Sequence, residues 1–117
     1  MNKAHIEDYL AEFSGAESSF PFGPEAMVFK VRGKMFALVS QGETPARVTL
    51  KCNPDDGAML VSQYSSVVPG YYMNKKHWVT ISLVNEVSDD LMEALIADSY
   101  QLVVSKLPKK ERIELQS

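Results

Sequence analysis

From Met27 to Cys52 the chain alternates apolar and polar residues in short runs, and a period of two commits this stretch to β-sheet. Met27, Phe29 and Val31 fall on one side, and Val28, Lys30 and Arg32 on the other. Gly33 permits a tight return into a second strand, Lys34 to Ser40. Its centre, Met35 to Val39, is apolar in both registers, as a strand covered at least in part on both sides requires. After a polar connector, Gln41 to Pro45, the third strand sends Val48, Leu50 and Cys52 inward and Arg47, Thr49 and Lys51 outward.

Helices frame these strands. Asn2 can cap a first helix in which Ile6, Tyr9, Leu10 and Phe13 repeat at helical spacing, and Gly15 can end it. The run Phe20-Pro21-Phe22-Gly23-Pro24 cannot continue a helix and reads as an ordered connector. Asn53-Pro54-Asp55-Asp56 starts a second helix, which runs to about Tyr64: a cap, a proline in the first turn, and two carboxylates at the positive dipole end. The loop Ser65 to Lys76, with Tyr71 and Tyr72, leads to a fourth strand, His77 to Leu83. There Val79, Ile81 and Leu83 share a face with His77, opposite Trp78, Thr80 and Ser82. Ser88 caps a last helix with a wide apolar stripe, and Pro108 stops it. The expected fold is therefore α+β, in the order α-β-β-β-α-β-α, with helices packed on one face of the sheet.

At 117 residues this is expected to be one domain, able to bury roughly two-thirds of its unfolded surface without metal or disulfide, with a flexible tail from about residue 108. Cys52 has no second cysteine to pair with, and the polar start has no secretion-signal pattern. A reduced, cytoplasmic setting is the expectation. No apolar run is long enough to span a bilayer, so no membrane role is expected.

The net charge of −3 argues against a generic polyanion binder, yet charge is segregated. Between Met27 and Thr80 seven cations (Lys30, Arg32, Lys34, Arg47, Lys51, Lys75 and Lys76) face three carboxylates, whereas elsewhere five face twelve. The outward set of Lys30, Arg32, Arg47, Thr49, Lys51, Trp78, Thr80 and Ser82 combines cations, hydroxyls and one aromatic ring. Cations release counterions from a phosphate backbone, hydroxyls contact phosphate oxygens, and a ring can stack on a base or sugar. The same residues also suit a merely solvated sheet face, where lysines guard against aggregation. Trp78 either packs on its strand neighbours or contacts a partner. Lys75-Lys76-His77 either anchors phosphate or solubilises a loop.

Catalytic signatures are absent: there is no Gly-x-Ser-x-Gly elbow, no phosphate-cradling glycine loop and no cysteine pair. Cys52 among apolar neighbours would have a raised pKa, the reverse of what a nucleophile needs. Neither catalysis nor a cofactor is expected. His5, Asp8 and Glu12 share one side of the first helix, but three sparse ligands on one segment make a poor metal site, and none is expected.

Four motifs read in order, Phe20-Pro21-Phe22-Gly23, Leu50-Lys51-Cys52, Asn74-Lys75-Lys76-His77-Trp78 and Asp98-Ser99-Tyr100, resemble the MmcQ/YjbR family of small bacterial proteins over nearly the whole chain. The resemblance implies a fold like that of CyaY, the bacterial frataxin. It also implies kinship with a "double wing" DNA-binding motif, in which a concave sheet and flanking hairpins straddle a duplex. Lys51, Asn74, Lys75, His77 and Trp78 match the family's motif positions, and Asn74 could equally serve to close its own turn. The expected partner is double-stranded DNA, held through Lys30, Arg32, Lys34, Arg47, Lys51, Asn74, Lys75, Lys76, His77 and Trp78. The rival expectation is a protein or small-ligand interaction domain, metal-linked through the acidic first helix.

Overall fold

The alternating stretch folds as its pattern requires, and the rest of the sheet grows from it. In a computed structural model that describes residues 1–70 and 74–116, the elements run α1 (Lys3–Ala11), β1 (Ala16–Ser19), β2 (Ala26–Val31), β3 (Lys34–Ser40), β4 (Arg47–Lys51), α2 (Pro54–Gln63), β5 (Val67–Pro69), β6 (Trp78–Ser82), α3 (Asp89–Val104) and α4 (Lys109–Gln116). The six strands form one antiparallel sheet in the order β1-β2-β3-β4-β6-β5. Arg32 and Gly33, with φ of 50° and 78°, form the two-residue turn whose backbone twist matches that of the strands it joins. Arg32 is thus a turn residue and does not continue the outward row of β2.

A β-bulge follows. Phe29 opposes Ala37 while Lys30 opposes Met35, so Phe36 has no partner across the ladder. An extra residue locally breaks alternation, and Phe36 and Ala37 are both fully buried. Phe36 then packs edge-on against Phe29 and Tyr100, whose ring centroids lie 6.5 and 5.3 Å away.

All four helices contribute to the core on one side of the sheet. α3 lies across β3 and β4, α2 against β5 and β6, and α1 against β1 and β3. The caps form as the sequence predicts: Asn2, Asn53 and Ser88 each accept from a backbone amide three residues ahead.

Three elements exceed the sequence expectation. β1 has no alternation and owes its strand state to pairing with β2. β5 lies within the predicted loop; its three residues end in a proline suited to an edge. The tail from residue 108 is ordered as α4, with Leu115 buried in the core and its carbonyl accepting from Ser14 Oγ at 2.6 Å. Pro108 does not stop α3, which already ends at Val104 with Ser105 as its C-cap; it begins α4 instead, its carbonyl accepting the Arg112 amide at 3.1 Å. The expectation for Tyr71 and Tyr72 falls outside the described residues.

Candidate nucleic-acid interface

The helices leave the other face of the sheet uncovered. Strand parity assigns it Val28 and Lys30 of β2, Met35 and Leu38 of β3, Arg47, Thr49 and Lys51 of β4, and Trp78, Thr80 and Ser82 of β6. The register adds what sequence could not supply. Lys30 opposes Met35 and Lys51 opposes Trp78 at the same end of the sheet, so two lysines and the tryptophan share one row. With strands about 4.8 Å apart, the Lys30 and Lys51 backbones stand about 10 Å from each other. The β2–β3 turn and the Asn74–His77 turn that precedes β6 project from that end as well.

Each predicted residue now has a place. Lys51 Nζ sits 5.8 Å from the centre of the Trp78 ring, a cation–π contact between cross-strand partners. Burial, and next the nearby Lys106 ammonium, push the Lys51 pKa down. Trp78 is half-buried and stands outside the core cluster. Lys34, Lys75 and Lys76 are exposed at the margins of the row. Among the described residues none of Lys30, Lys34, Lys51, Lys75 and Lys76 has a carboxylate within ion-pair distance. Asn74 closes its own turn, its side-chain oxygen accepting the Lys76 amide at 3.0 Å. The half-buried His77 is held by its backbone, which donates to Asn74 O and accepts from the Cys52 amide at 2.9 Å.

Other members of the set are not brought together. Arg32 turns to α4 and pairs with Glu114 at 3.4 Å. Arg47 is clamped by both oxygens of Glu43 at 2.8 and 2.9 Å, which holds the Glu43 carboxyl below its usual range. Thr49 and Thr80, expected as phosphate contacts, are buried and hydrogen-bonded to each other at 2.9 Å. Val28 on this face is also fully buried, though it lies outside the core cluster. The face is concave from the end of Glu25 and Arg47 as far as Met35, the cross-strand partner of Lys30 in the lysine row. There a hollow of about 540 Å³ has Met35 and Leu38 in its floor and Glu25, Glu43 and Arg47 around it.

In the sequence Ser99 stands out only within the Asp98-Ser99-Tyr100 motif, and its supporting role was missed. Below the bulge β3 and β4 no longer pair directly, and Ser99 of α3 bridges them. Its hydroxyl donates to Phe36 O at 2.5 Å and accepts the Lys51 amide at 2.8 Å, and the residue is fully buried. The signal was a serine in the apolar stripe of a helix, flanked by Asp98 and Tyr100. Ser99 thus fixes the backbone that carries Lys51.

Cys52 lines a crevice of about 390 Å³ between α2 and α3, where burial and then Asp56 raise its pKa. His5, Asp8 and Glu12 are exposed, and no three His, Cys, Asp or Glu side chains among the described residues converge in a metal-binding group. No described helix is long and apolar enough to cross a membrane.

Comparison with known proteins places this geometry among relatives. The YjbR family model matches residues 11–102. The chain is 41% identical to the uncharacterized protein YbdF of Escherichia coli O157:H7, over 86% of this chain and 83% of that protein. It is 33% identical to the uncharacterized protein YjbR of Escherichia coli strain K12, over 96% of this chain and 95% of that protein. Among solved structures it resembles the crystal structure of Deinococcus radiodurans protein DR2400, a DUF419 domain, with a TM-score of 0.90 and 36% identity. That match covers 98% of this chain and 88% of the other.

Proposed function

The chain belongs to the YjbR family, and we propose that within it this protein is a non-enzymatic DNA-binding module that grips the duplex backbone with the lysine end of its open sheet face. The observation that carries the reading is the row of Lys30, Lys51 and Trp78, flanked by Lys34, Lys75 and Lys76, with no carboxylate neutralising any of the five lysines among the described residues. A duplex backbone carries condensed counterions, and lysines free to neutralise its phosphates release them, which is the sequence-independent source of nucleic-acid affinity.

The two turns at that end would act as wings, and the ring of Trp78, already oriented by Lys51, offers a face to sugar or base. Arg32 and Arg47 drop out of the contact set because carboxylates already occupy them. The reading includes kinship with the CyaY-like fold, supported by helices gathered on one side of an antiparallel sheet. It also includes a cytoplasmic setting, where a lone buried thiol stays reduced.

Fluorescence anisotropy of a labelled duplex tests it. Lys30→Ala/Lys51→Ala/Lys76→Ala should weaken binding at least about tenfold at low salt, because each lost phosphate contact removes released counterions. Equal affinity for the wild type and this variant rejects the face.

A further inference from the structure

The hollow on the open face is chemically unlike the lysine row. Its floor is apolar where Met35 and Leu38 line it, and its volume of about 540 Å³ falls within the range of small-molecule sites. Its charge is set by three groups, of which Glu43 and Arg47 neutralise each other. Glu25 is left with no ion pair among the described residues, so the hollow carries one uncompensated negative charge. Phe22, also on the wall, is 67% exposed, an aromatic ring of the kind that attracts cations across its face.

The far side is polar in a different way. Thr49 and Thr80 share one hydrogen between them, so a second hydroxyl proton and spare lone pairs remain on buried residues that line the hollow. Glu25 adjoins β2, whereas the threonines stand on β4 and β6, beyond β3. At least two strand spacings, about 10 Å, therefore separate the backbones that carry the two polar ends.

We propose that this hollow is a binding site for a small arylalkylamine with a polar tip. Its ammonium meets Glu25 and the Phe22 ring, its apolar body covers Met35 and Leu38, and its tip hydrogen-bonds the Thr49–Thr80 pair. The site adjoins the lysine row at Met35 but does not rest on DNA binding.

Tyramine is a suitable probe, with phenethylamine lacking the hydroxyl and 4-hydroxyphenylacetate replacing the ammonium by a carboxylate. NMR titration should show shifts at the methyls of Met35, Leu38, Thr49 and Thr80, with a Kd of about 1 mM for tyramine, ordinary for a ligand of this size. Phenethylamine should bind several-fold more weakly and the carboxylate should not bind. Glu25→Gln, an exposed position whose change should leave thermal unfolding unaltered, should weaken tyramine about tenfold, the loss of one charged contact. Shifts absent or confined elsewhere, equal affinity for the carboxylate, or unchanged affinity in Glu25→Gln would each overturn the site.

Discussion

Ser99 shows how much can depend on one hydroxyl. The bulge that buries Phe36 separates β3 from β4, and without a mediator the Phe36 carbonyl and the Lys51 amide would be buried with no partner. A serine supplies both an acceptor and a donor in the volume of a small side chain. Ser99→Ala removes both contacts at once, and leaving a buried donor and acceptor unmade costs about 2–4 kcal/mol in total. Urea unfolding should register that loss as a lower midpoint with an unchanged slope. A fall under about 0.5 kcal/mol, the size of an ordinary surface change, would mean that water replaces the hydroxyl. Neither the bulge nor the bridge is legible in the sequence, where Met35 to Val39 is apolar throughout and carries no sign of which residue is the extra one.

Connections between elements follow a similar logic. Glu86, in the segment between β6 and α3, reaches back to the turn that joins α2 to β5. Its carboxylate accepts from the Ser66 amide at 2.7 Å and from the Ser65 amide and hydroxyl at 3.3 and 3.2 Å. Hydrogen bonds from Ser66 first, and from Ser65, hold its pKa below the ordinary carboxylate value of 4.5. A carboxylate more acidic in the folded than in the unfolded state stabilises the fold above the unfolded value, and that contribution disappears as pH falls through the folded one. Glu86→Ala should therefore be less stable than wild type at pH 7, and the gap should close as the pH is lowered well below 4.5. Paired melts across that range provide the check, and a gap that stays constant with pH would show that charge has no part in the contact. The short strand β5 was hidden for a related reason. Three residues ending in Pro69 carry no period, and the strand exists because β6 offers Ile81, Thr80 and Val79 as partners and Gly70 lets the chain close in. A Cβ at Gly70 would stand 2.7 Å from that of Trp78.

Across the whole molecule, parity identified the outward lysines but could not tell which cations already had partners. Arg32 and Arg47 read from the sequence like Lys30 and Lys51, because their partners lie where a strand pattern cannot see them. Glu114 sits on a helix that the sequence suggested as a loose tail, and Glu43 in a connector whose path only the fold defines. The open face is consequently divided: among the described residues Lys30 and Lys51 lie at one end of it without an ion pair, flanked by Lys34, Lys75 and Lys76, and a hollow of net negative charge extends from Met35 toward the other end. That division makes the proposed DNA contact countable. Each phosphate neutralised on a duplex contributes about −0.9 to the slope of log K against log salt, so five lysines give a slope of about −4 to −5. Arg47→Gln should leave the slope unchanged, because a guanidinium already clamped by a carboxylate releases no counterion. Lys51→Gln/Lys76→Gln should flatten it by about 2. Affinity measured at four salt concentrations separates the cases, and a slope that falls as much for Arg47→Gln as for the double variant would move the contact to the hollow and away from the row.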